Sequence, residues 1–210
     1  MSKARTIGKN ISFIVLGRIV TVIVSFALFP FIVSHVGKEI YGAYLIVISI
    51  TGYFGLLDFG MKSALTKYVS EYHGKKDLNG INKIINASFS FYIIVGILIS
   101  ILFFLSSIYF TRFFNVDPVN VTIMRNLFVV ASLSSLFVWP MSTFRGTIQG
   151  LNMWGIDVTV NISNQILLAI VTFFLLSNGR GIVELFIVTQ VLSVLGSLIL
   201  YQIEIGRAHV

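Results

Sequence analysis

The chain has 210 residues, of which 56% are hydrophobic and only 11% are charged, and its formal net charge is +7. This number of charged residues is too small to cover the surface of a water-soluble domain. The composition therefore excludes an ordinary soluble protein and indicates a membrane protein. The sequence contains no cysteine, which excludes disulfides and thiolate metal sites. The basic residues lie between long apolar stretches, which argues against nucleic acid as a partner.

Six apolar stretches long enough to cross a bilayer follow one another along the chain. A hydrocarbon core of about 30 Å is crossed by about 20 helical residues. Continuous apolar runs indicate helices, because the strands of a membrane barrel alternate apolar with polar residues. We therefore predict an all-α membrane protein with six transmembrane helices. The predicted spans are Ile11–Val33, Ile40–Phe59, Ile84–Phe110, Val121–Phe144, Val158–Leu176 and Ile182–Ile203.

The basic residues predict the orientation of these spans. Nine lie before the first span or in the loops on the same side of the membrane, and three lie in the alternate loops. By the positive-inside rule the N-terminus is cytoplasmic. The nine are Lys3, Arg5, Lys9, Lys62, Lys67, Lys75, Lys76, Lys83 and Arg145, and the three are Lys38, Arg112 and Arg180.

The first span contains an arginine, Arg18, which lies about 10 Å beyond Ile11 along a helix. A charge inside the hydrocarbon is costly and usually faces a protein interior or a watery cavity. Arg18 shares a helical face with Thr21 and Ser25, which favours a ligand-facing or paired role. The alternative is that its long side chain reaches back to the cytoplasmic interface.

The second span ends near Asp58, which could neutralise Arg18 or Lys62. A structural ion pair is one interpretation of this carboxylate, and proton or cation coupling is the other. Beyond it, the spacing of apolar and charged residues predicts an amphipathic cytoplasmic helix over Lys62–His73. We expect this helix to lie against the inner leaflet, with partner docking as the alternative, and Asn79–Gly80 to form a turn after it.

Polar residues also lie in the later spans. Arg125 is near the outer end of the fourth span, where it could act as an outer gate or an interfacial anchor. In the fifth span, Asp157, Asn161 and Asn164 fall on one side of a helix, and such a stripe should not face lipid. It could line a cavity or form hydrogen bonds between helices.

Sequence signatures of catalysis do not occur at usable positions. There is no Gly-rich phosphate loop, nucleophile elbow, pair of carboxylates or cluster of metal ligands. We therefore predict a protein that is not an enzyme, with no catalytic residues, metal or cofactor.

Several segments resemble a known family. Gly37–Tyr44, Gly55–Met61, Ala64–Glu71 and Phe144–Asn152 are similar, in order and spacing, to segments of polysaccharide-export flippases over about residues 9–202. These flippases belong to the multidrug/oligosaccharidyl-lipid/polysaccharide exporter superfamily. The resemblance implies that the six helices form the N-terminal lobe of a two-lobed, MATE-like transporter fold.

The resemblance also implies a function. Alternating access would flip a polyprenyl-pyrophosphate-linked oligosaccharide across the cytoplasmic membrane, with membrane lipids and a missing C-terminal lobe of the same chain as further partners. Arg18 best fits the cationic cavity that receives the pyrophosphate, with Asn161 and Asn164 as further cavity residues. A guanidinium suits this role because it presents a fork of donors and stays charged. Asp58 matches an aspartate in a sequence pattern of the family, and the role of this aspartate is open.

Two other functions are alternatives. A multidrug cation exporter of the same superfamily should favour acidic cavity residues, whereas this chain offers Arg18 and few acids. A membrane scaffold for a glycan-synthesis complex would use the helix at Lys62–His73 as its working part. If the chain is complete, two copies could form the two lobes.

The last residues depart from the family pattern. Glu204–Val210 resembles the translation of sequencing-adapter DNA. We therefore expect residues 1–203 to be the native six-helix lobe, residues 204–210 to be foreign, and the natural protein to continue.

Overall fold

A computed structural model describes the backbone of residues 3–113 and 118–208, and the side chains of residues 12–109 and 120–203. All regular structure in these ranges is helical. The helices are α1 (Lys3–Val36), α2 (Lys38–Phe54), a single 3₁₀ turn (Gly55–Asp58), α3 (Met61–Gly74), α4 (Leu78–Phe113), α5 (Pro118–Gly150), α6 (Trp154–Ser177) and α7 (Ile182–Ala208).

Six stretches of the described helices are long and apolar enough to cross a membrane, which confirms the predicted all-α membrane protein. Each overlaps one predicted span. The six are Ser12–Val36, Lys38–Asp58, Leu78–Tyr109, Asn120–Gly150, Trp154–Ser177 and Ile182–Ile203. Whether the chain is one lobe of a larger fold stays a prediction, as does the foreign origin of residues 204–210, whose side chains lie outside the described residues.

The predicted turn at Asn79–Gly80 is wrong, because both residues lie in the first turn of α4. The chain reverses instead just before, where Lys76 adopts a left-handed conformation with a φ of 57°. The Asp77 carboxylate then accepts a hydrogen bond of 2.9 Å from the backbone N–H of Gly80. An aspartate at this position caps the free N–H groups of a helix, so α4 begins earlier than its apolar residues do.

The centre of the bundle is the contact between α4 and α5. Phe103 of α4 and Phe128 of α5 are almost fully buried and pack with ring centroids 6.1 Å apart. Nearby, the hydroxyl of Ser132 donates a 2.9 Å hydrogen bond to the carbonyl oxygen of Ser100 on α4. By contrast, α1 packs mainly against α6, and its outer face stays open, with Phe26 80% exposed.

The amphipathic helix α3 packs on protein, which corrects the expectation that its apolar face lies on the membrane. Leu65 and Val69 are fully buried against the end of α5. Two glycines of α5 make room for them: a Cβ at Gly146 would lie 2.7 Å from Leu65, and one at Gly150 would lie 2.7 Å from Val69. The hydroxyl of Thr66 also donates a 3.3 Å hydrogen bond to the carbonyl oxygen of Gly146. α3 is therefore an integral part of the bundle.

We expect Gly150→Ala to loosen the contact between α3 and α5. The added Cβ would also lie 2.9 Å from the backbone oxygen of Thr66. This oxygen can move away only if the whole of α3 shifts. Overpacking of this kind costs about 1–3 kcal/mol, which should lower the melting temperature in detergent by about 5 °C. Trypsin should also cleave faster at the lysines of α3.

Gly155→Ala is the matched control for this substitution. It adds the same methyl group four residues before Thr159 in α6, where no atom lies within 4 Å of the new Cβ. It should leave the melting temperature unchanged or raise it slightly, because alanine is the better helix former. Equal melting temperatures for the two variants would contradict the tight packing of α3 on Gly150.

Candidate functional site

The break between α2 and α3 places Lys62 at the end of the bundle. Phe59 and Gly60 both adopt left-handed conformations, with φ of 47° and 76°, and interrupt the helix after the 3₁₀ turn. Asp58 holds this turn, because its carboxylate accepts one hydrogen bond from the hydroxyl of Tyr92 and another, of 3.3 Å, from the backbone N–H of Lys62. The buried side chain of Tyr92 thereby ties the break to α4.

Asp58 is not part of an ion pair in the side chains that the structure describes. The two ion pairs found there are Glu71–Lys75 on the surface of α3 and Arg145–Asp157. The predicted pairing of Asp58 with Arg18 or Lys62 is therefore absent from this conformation. The Asp58 carboxylate instead accepts hydrogen bonds from two polar groups where the helix is interrupted between α2 and α3.

The connection between α5 and α6 brings three polar side chains together. Arg145 and Gln149 lie one turn apart near the end of α5, and Asp157 lies in the first turn of α6. Arg145 Nε is 2.9 Å from Asp157 Oδ1, and the Gln149 side-chain amide donates a 2.7 Å hydrogen bond to Asp157 Oδ2. One carboxylate oxygen thus accepts a hydrogen bond, and the other is in ion-pair contact with the guanidinium. An acidic residue at a helix N-terminus is further stabilised by the helix dipole.

A cavity of about 570 Å³ lies beside these three side chains, between α1, the start of α3, the end of α5 and the first turns of α6. We call it the basic cavity, because three cationic side chains and one carboxylate line it. Asp157 neutralises Arg145, so the cavity keeps an excess of two positive charges. Its lining consists of Ile14, Gly17, Arg18, Thr21, Val22, Lys62, Arg145, Gln149, Trp154, Asp157, Val158 and Asn161.

The two excess charges belong to Arg18 and Lys62. In the part of the chain whose side chains are described, no carboxylate oxygen lies within 4.0 Å of either. Burial lowers the pKa of Lys62, Arg145 lowers it further, and Asp157 and Asp58 act in the opposite direction. The charged form of Lys62 is therefore incompletely compensated, and an anion in the basic cavity would stabilise it.

The structure brings some of the predicted site residues together and separates others. Arg18 and Asn161 line the basic cavity. Asn164, one turn further along α6, donates a 3.2 Å hydrogen bond to the carbonyl oxygen of Leu192 on α7 and is not part of the cavity lining. A Cβ on Gly196 of α7 would collide with its amide, so the absence of a side chain there makes room for this contact between helices.

Arg125 lies elsewhere, exposed on α5 and outside the lining of the basic cavity. Ser132, two turns further along α5, is buried and bonded to Ser100 of α4. The roles of Arg18, Asn161, Asn164, Asp58 and Arg125 in binding or gating stay predictions.

Sequence reasoning missed Lys62, Arg145 and Gln149 as cavity residues. Arg145 counted only toward the orientation of the spans, because a basic residue in a loop is the ordinary topology signal. Lys62 counted toward the orientation, the amphipathic helix and a possible pair with Asp58. One local signal was present: Arg145 and Gln149 are four residues apart, so they share a helical face. That face alone does not reveal which helices surround it.

The sequence matches a family of known proteins along nearly its whole length. The family model, described as "Polysaccharide biosynthesis protein", matches residues 7–208. A search of curated proteins found no significant match.

Proposed function

Because this chain belongs to the polysaccharide biosynthesis protein family, whose members are transporters of the flippase type, we propose that it moves a polyprenyl-pyrophosphate-linked oligosaccharide across the cytoplasmic membrane. It does so without catalysing a chemical reaction on this substrate. The observation that carries the proposal is the basic cavity, with its excess of two positive charges at Arg18 and Lys62.

A pyrophosphate matches the chemistry of this cavity. Arg18 presents several N–H donors that can bind two phosphate oxygens, and Lys62 adds a compact charge from the other wall. Arg18 lies within the span Ser12–Val36, where a charge that faced lipid would be costly. A bound anion would lower that cost, and an aqueous cavity between two lobes would give the anion access.

The orientation follows from the charges at this end of the bundle. The cavity is next to α3, whose lysines belong to the basic set that the positive-inside rule assigns to the cytoplasm. The N-terminus is then cytoplasmic, and the basic cavity receives the pyrophosphate from the inner leaflet. The open face of α1, where Phe26 is exposed, is where a second lobe would close the cavity.

The alternative functions fit the site less well. An exporter of organic cations needs an unpaired acid, whereas Asp157, the one carboxylate of the basic cavity, is bound to Arg145 and Gln149. A scaffold that docks partners through α3 needs a free apolar face, whereas Leu65 and Val69 are buried.

We expect Lys62→Gln to weaken binding of polyprenyl pyrophosphate to the purified protein in lipid nanodiscs by about tenfold. A hydrogen bond to a charged group contributes about 1.5–3 kcal/mol, and 1.4 kcal/mol corresponds to a factor of ten. Titration calorimetry measures the dissociation constant. Lys83→Gln is the matched control, because Lys83 is exposed on α4 and lines neither described cavity that contains Lys62.

The pH dependence separates Lys62 from a general charge effect. Because the pKa of Lys62 is lowered, this lysine loses its proton at a lower pH than an ordinary lysine does. Affinity should therefore fall as the pH rises toward the pKa of an ordinary lysine, about 10.4, and Lys62→Gln should lack this fall while Lys83→Gln keeps it. Absence of any binding, or equal affinities for the two variants at pH 7, would contradict the proposed use of the basic cavity.

A further inference from the structure

A second, smaller cavity of about 340 Å³ opens beside the basic cavity. We call it the tryptophan cavity. It shares Lys62, Gln149 and Trp154 with the basic cavity, so the two are neighbours across one wall. Its volume is near the lower end of the range for ligand pockets, about 300–1,000 Å³, which suits one sugar ring. The lining residues are Lys62, Ser63, Thr66, Lys67, Gln149 and Trp154.

Trp154 lies at the junction of the two cavities. It is the first residue of α6, and the turn before it is fixed by a 3.0 Å hydrogen bond from the N–H of Met153 to the carbonyl oxygen of Ile148. Asn152 turns the chain with a φ of 61°. Trp154 is half-buried and lines both cavities. An indole offers a broad apolar face, against which the C–H face of a sugar ring stacks, and one N–H donor at its edge.

The other lining residues supply groups that pair with hydroxyls. The amide nitrogen of Gln149 is engaged by Asp157, which leaves the amide oxygen of this buried side chain as an acceptor. The hydroxyl of Thr66 donates to Gly146 and keeps its acceptor capacity. Ser63 is exposed and adds a second hydroxyl. An aromatic face ringed by amide and hydroxyl groups is suited to a neutral polyhydroxyl ligand.

We propose that the tryptophan cavity binds the first sugar of the lipid-linked oligosaccharide, stacked on Trp154 and hydrogen-bonded to Gln149. The proposal rests on the proposed function, because the sugar is attached directly to the pyrophosphate that Arg18 and Lys62 hold. Lys62 lines both cavities, so the sugar next to the bound pyrophosphate enters the smaller one. This subsite makes Trp154 a specificity-determining residue that distinguishes a loaded carrier lipid from a bare one.

A second phosphate is a less suitable occupant of the tryptophan cavity. Apart from Lys62, its charged residue is Lys67, whose ammonium group lies 5.4 Å from the centre of the Tyr68 ring and is partly stabilised there. A lipid tail is unsuitable as well, because all six lining side chains carry a polar group. These groups are two hydroxyls, two ammonium groups, one amide and the indole N–H.

Tryptophan fluorescence tests the proposal, because Trp139 and Trp154 are the two tryptophans of the chain. In the Trp139→Phe protein, emission reports on Trp154 alone. The probes are polyprenyl pyrophosphate and the same lipid carrying glucose, galactose or N-acetylglucosamine. We expect at least one sugar-bearing lipid to shift and quench the emission beyond the effect of the bare lipid. It should also bind about 3- to 10-fold more tightly than the bare lipid, the range of an aromatic stacking contact.

Trp154→Phe provides the second measurement, with Trp139→Phe as its matched control. Trp139 packs on Tyr92 inside the bundle, with ring centroids 6.2 Å apart, and lines neither of the two cavities. The affinity ratio of sugar-bearing to bare lipid should fall toward one in Trp154→Phe and persist in Trp139→Phe.

The outcomes separate this inference from the function on which it rests. If all four lipids bind equally and change Trp154 emission equally, the sugar subsite is wrong while the pyrophosphate site stands. The same holds if Trp154→Phe keeps the affinity ratio. If none of the lipids binds, the proposed function fails and the sugar subsite fails with it.

Discussion

Replacing Arg18 with alanine should reduce the affinity for polyprenyl pyrophosphate by about 100-fold and abolish surface polysaccharide in cells that depend on this transporter. Arg18 is exposed on the wall of the basic cavity and has no carboxylate partner in the described part of the chain. Charge-assisted hydrogen bonds to a phosphate contribute about 1.5–3 kcal/mol each, and a guanidinium can form two at once. No neighbouring arginine replaces it, because Arg145 is engaged by Asp157.

Two further variants define what Arg18 contributes. Arg18→Lys keeps the charge but loses the planar fork, so it should recover only part of the affinity. Arg180→Ala removes an exposed arginine from the loop before α7, far in sequence from the cavity lining, and should leave binding and surface polysaccharide unchanged. All variants should accumulate in the membrane at similar levels, as measured by immunoblotting. Normal surface polysaccharide with Arg18→Ala would remove this residue from the mechanism.

Replacing Asp157 with alanine should cause a large loss of stability. The side chain of Asp157 is 12% exposed and that of Arg145 is 35% exposed, so removal of the carboxylate leaves a mostly buried guanidinium without its partner. Removing one member of a fully buried pair costs about 3–5 kcal/mol, and partial exposure of Arg145 reduces this to about 2 kcal/mol. The melting temperature in detergent should fall by about 5 °C.

A double-mutant cycle identifies the ion pair as the cause. Arg145→Ala combined with Asp157→Ala should be less destabilised than the sum of the single substitutions, because the double variant leaves no unpaired charge. The control is Glu71→Gln, which breaks the exposed ion pair between Glu71 and Lys75 and should leave the melting temperature unchanged. Additive single substitutions, or equal effects of Asp157→Ala and Glu71→Gln, would contradict a stabilising pair beside the cavity.

The membrane helices could be predicted closely because each signal is local. About 20 consecutive apolar residues suffice to specify a span, whatever the neighbouring helices do. Boundaries were less accurate, and the start of α4 illustrates the reason. Its first turn is polar and depends on Asp77 as a cap, so hydropathy alone begins the helix too late.

The partners of polar side chains were harder to predict. Asn161 and Asn164 lie close together on α6, yet Asn161 lines the basic cavity and Asn164 bonds to α7. Asp58 was expected to meet a cation and instead meets the hydroxyl of Tyr92, 34 residues away in the chain. A periodic pattern predicts which residues share a helical face, but it carries no information about which helix that face meets.

The sequence by itself determined that the protein lies in a membrane, how many spans it has and that the spans are helical. These properties depend on the hydrophobicity and length of consecutive segments of one chain. Only the tertiary structure decided that Lys62, Arg145 and Gln149 join Arg18 around one cavity. It also decided that Asp157 cancels one of the three positive charges there. Electrostatic interactions depend on distance in space, and these residues come from four different helices, so their net charge becomes defined only when the helices pack.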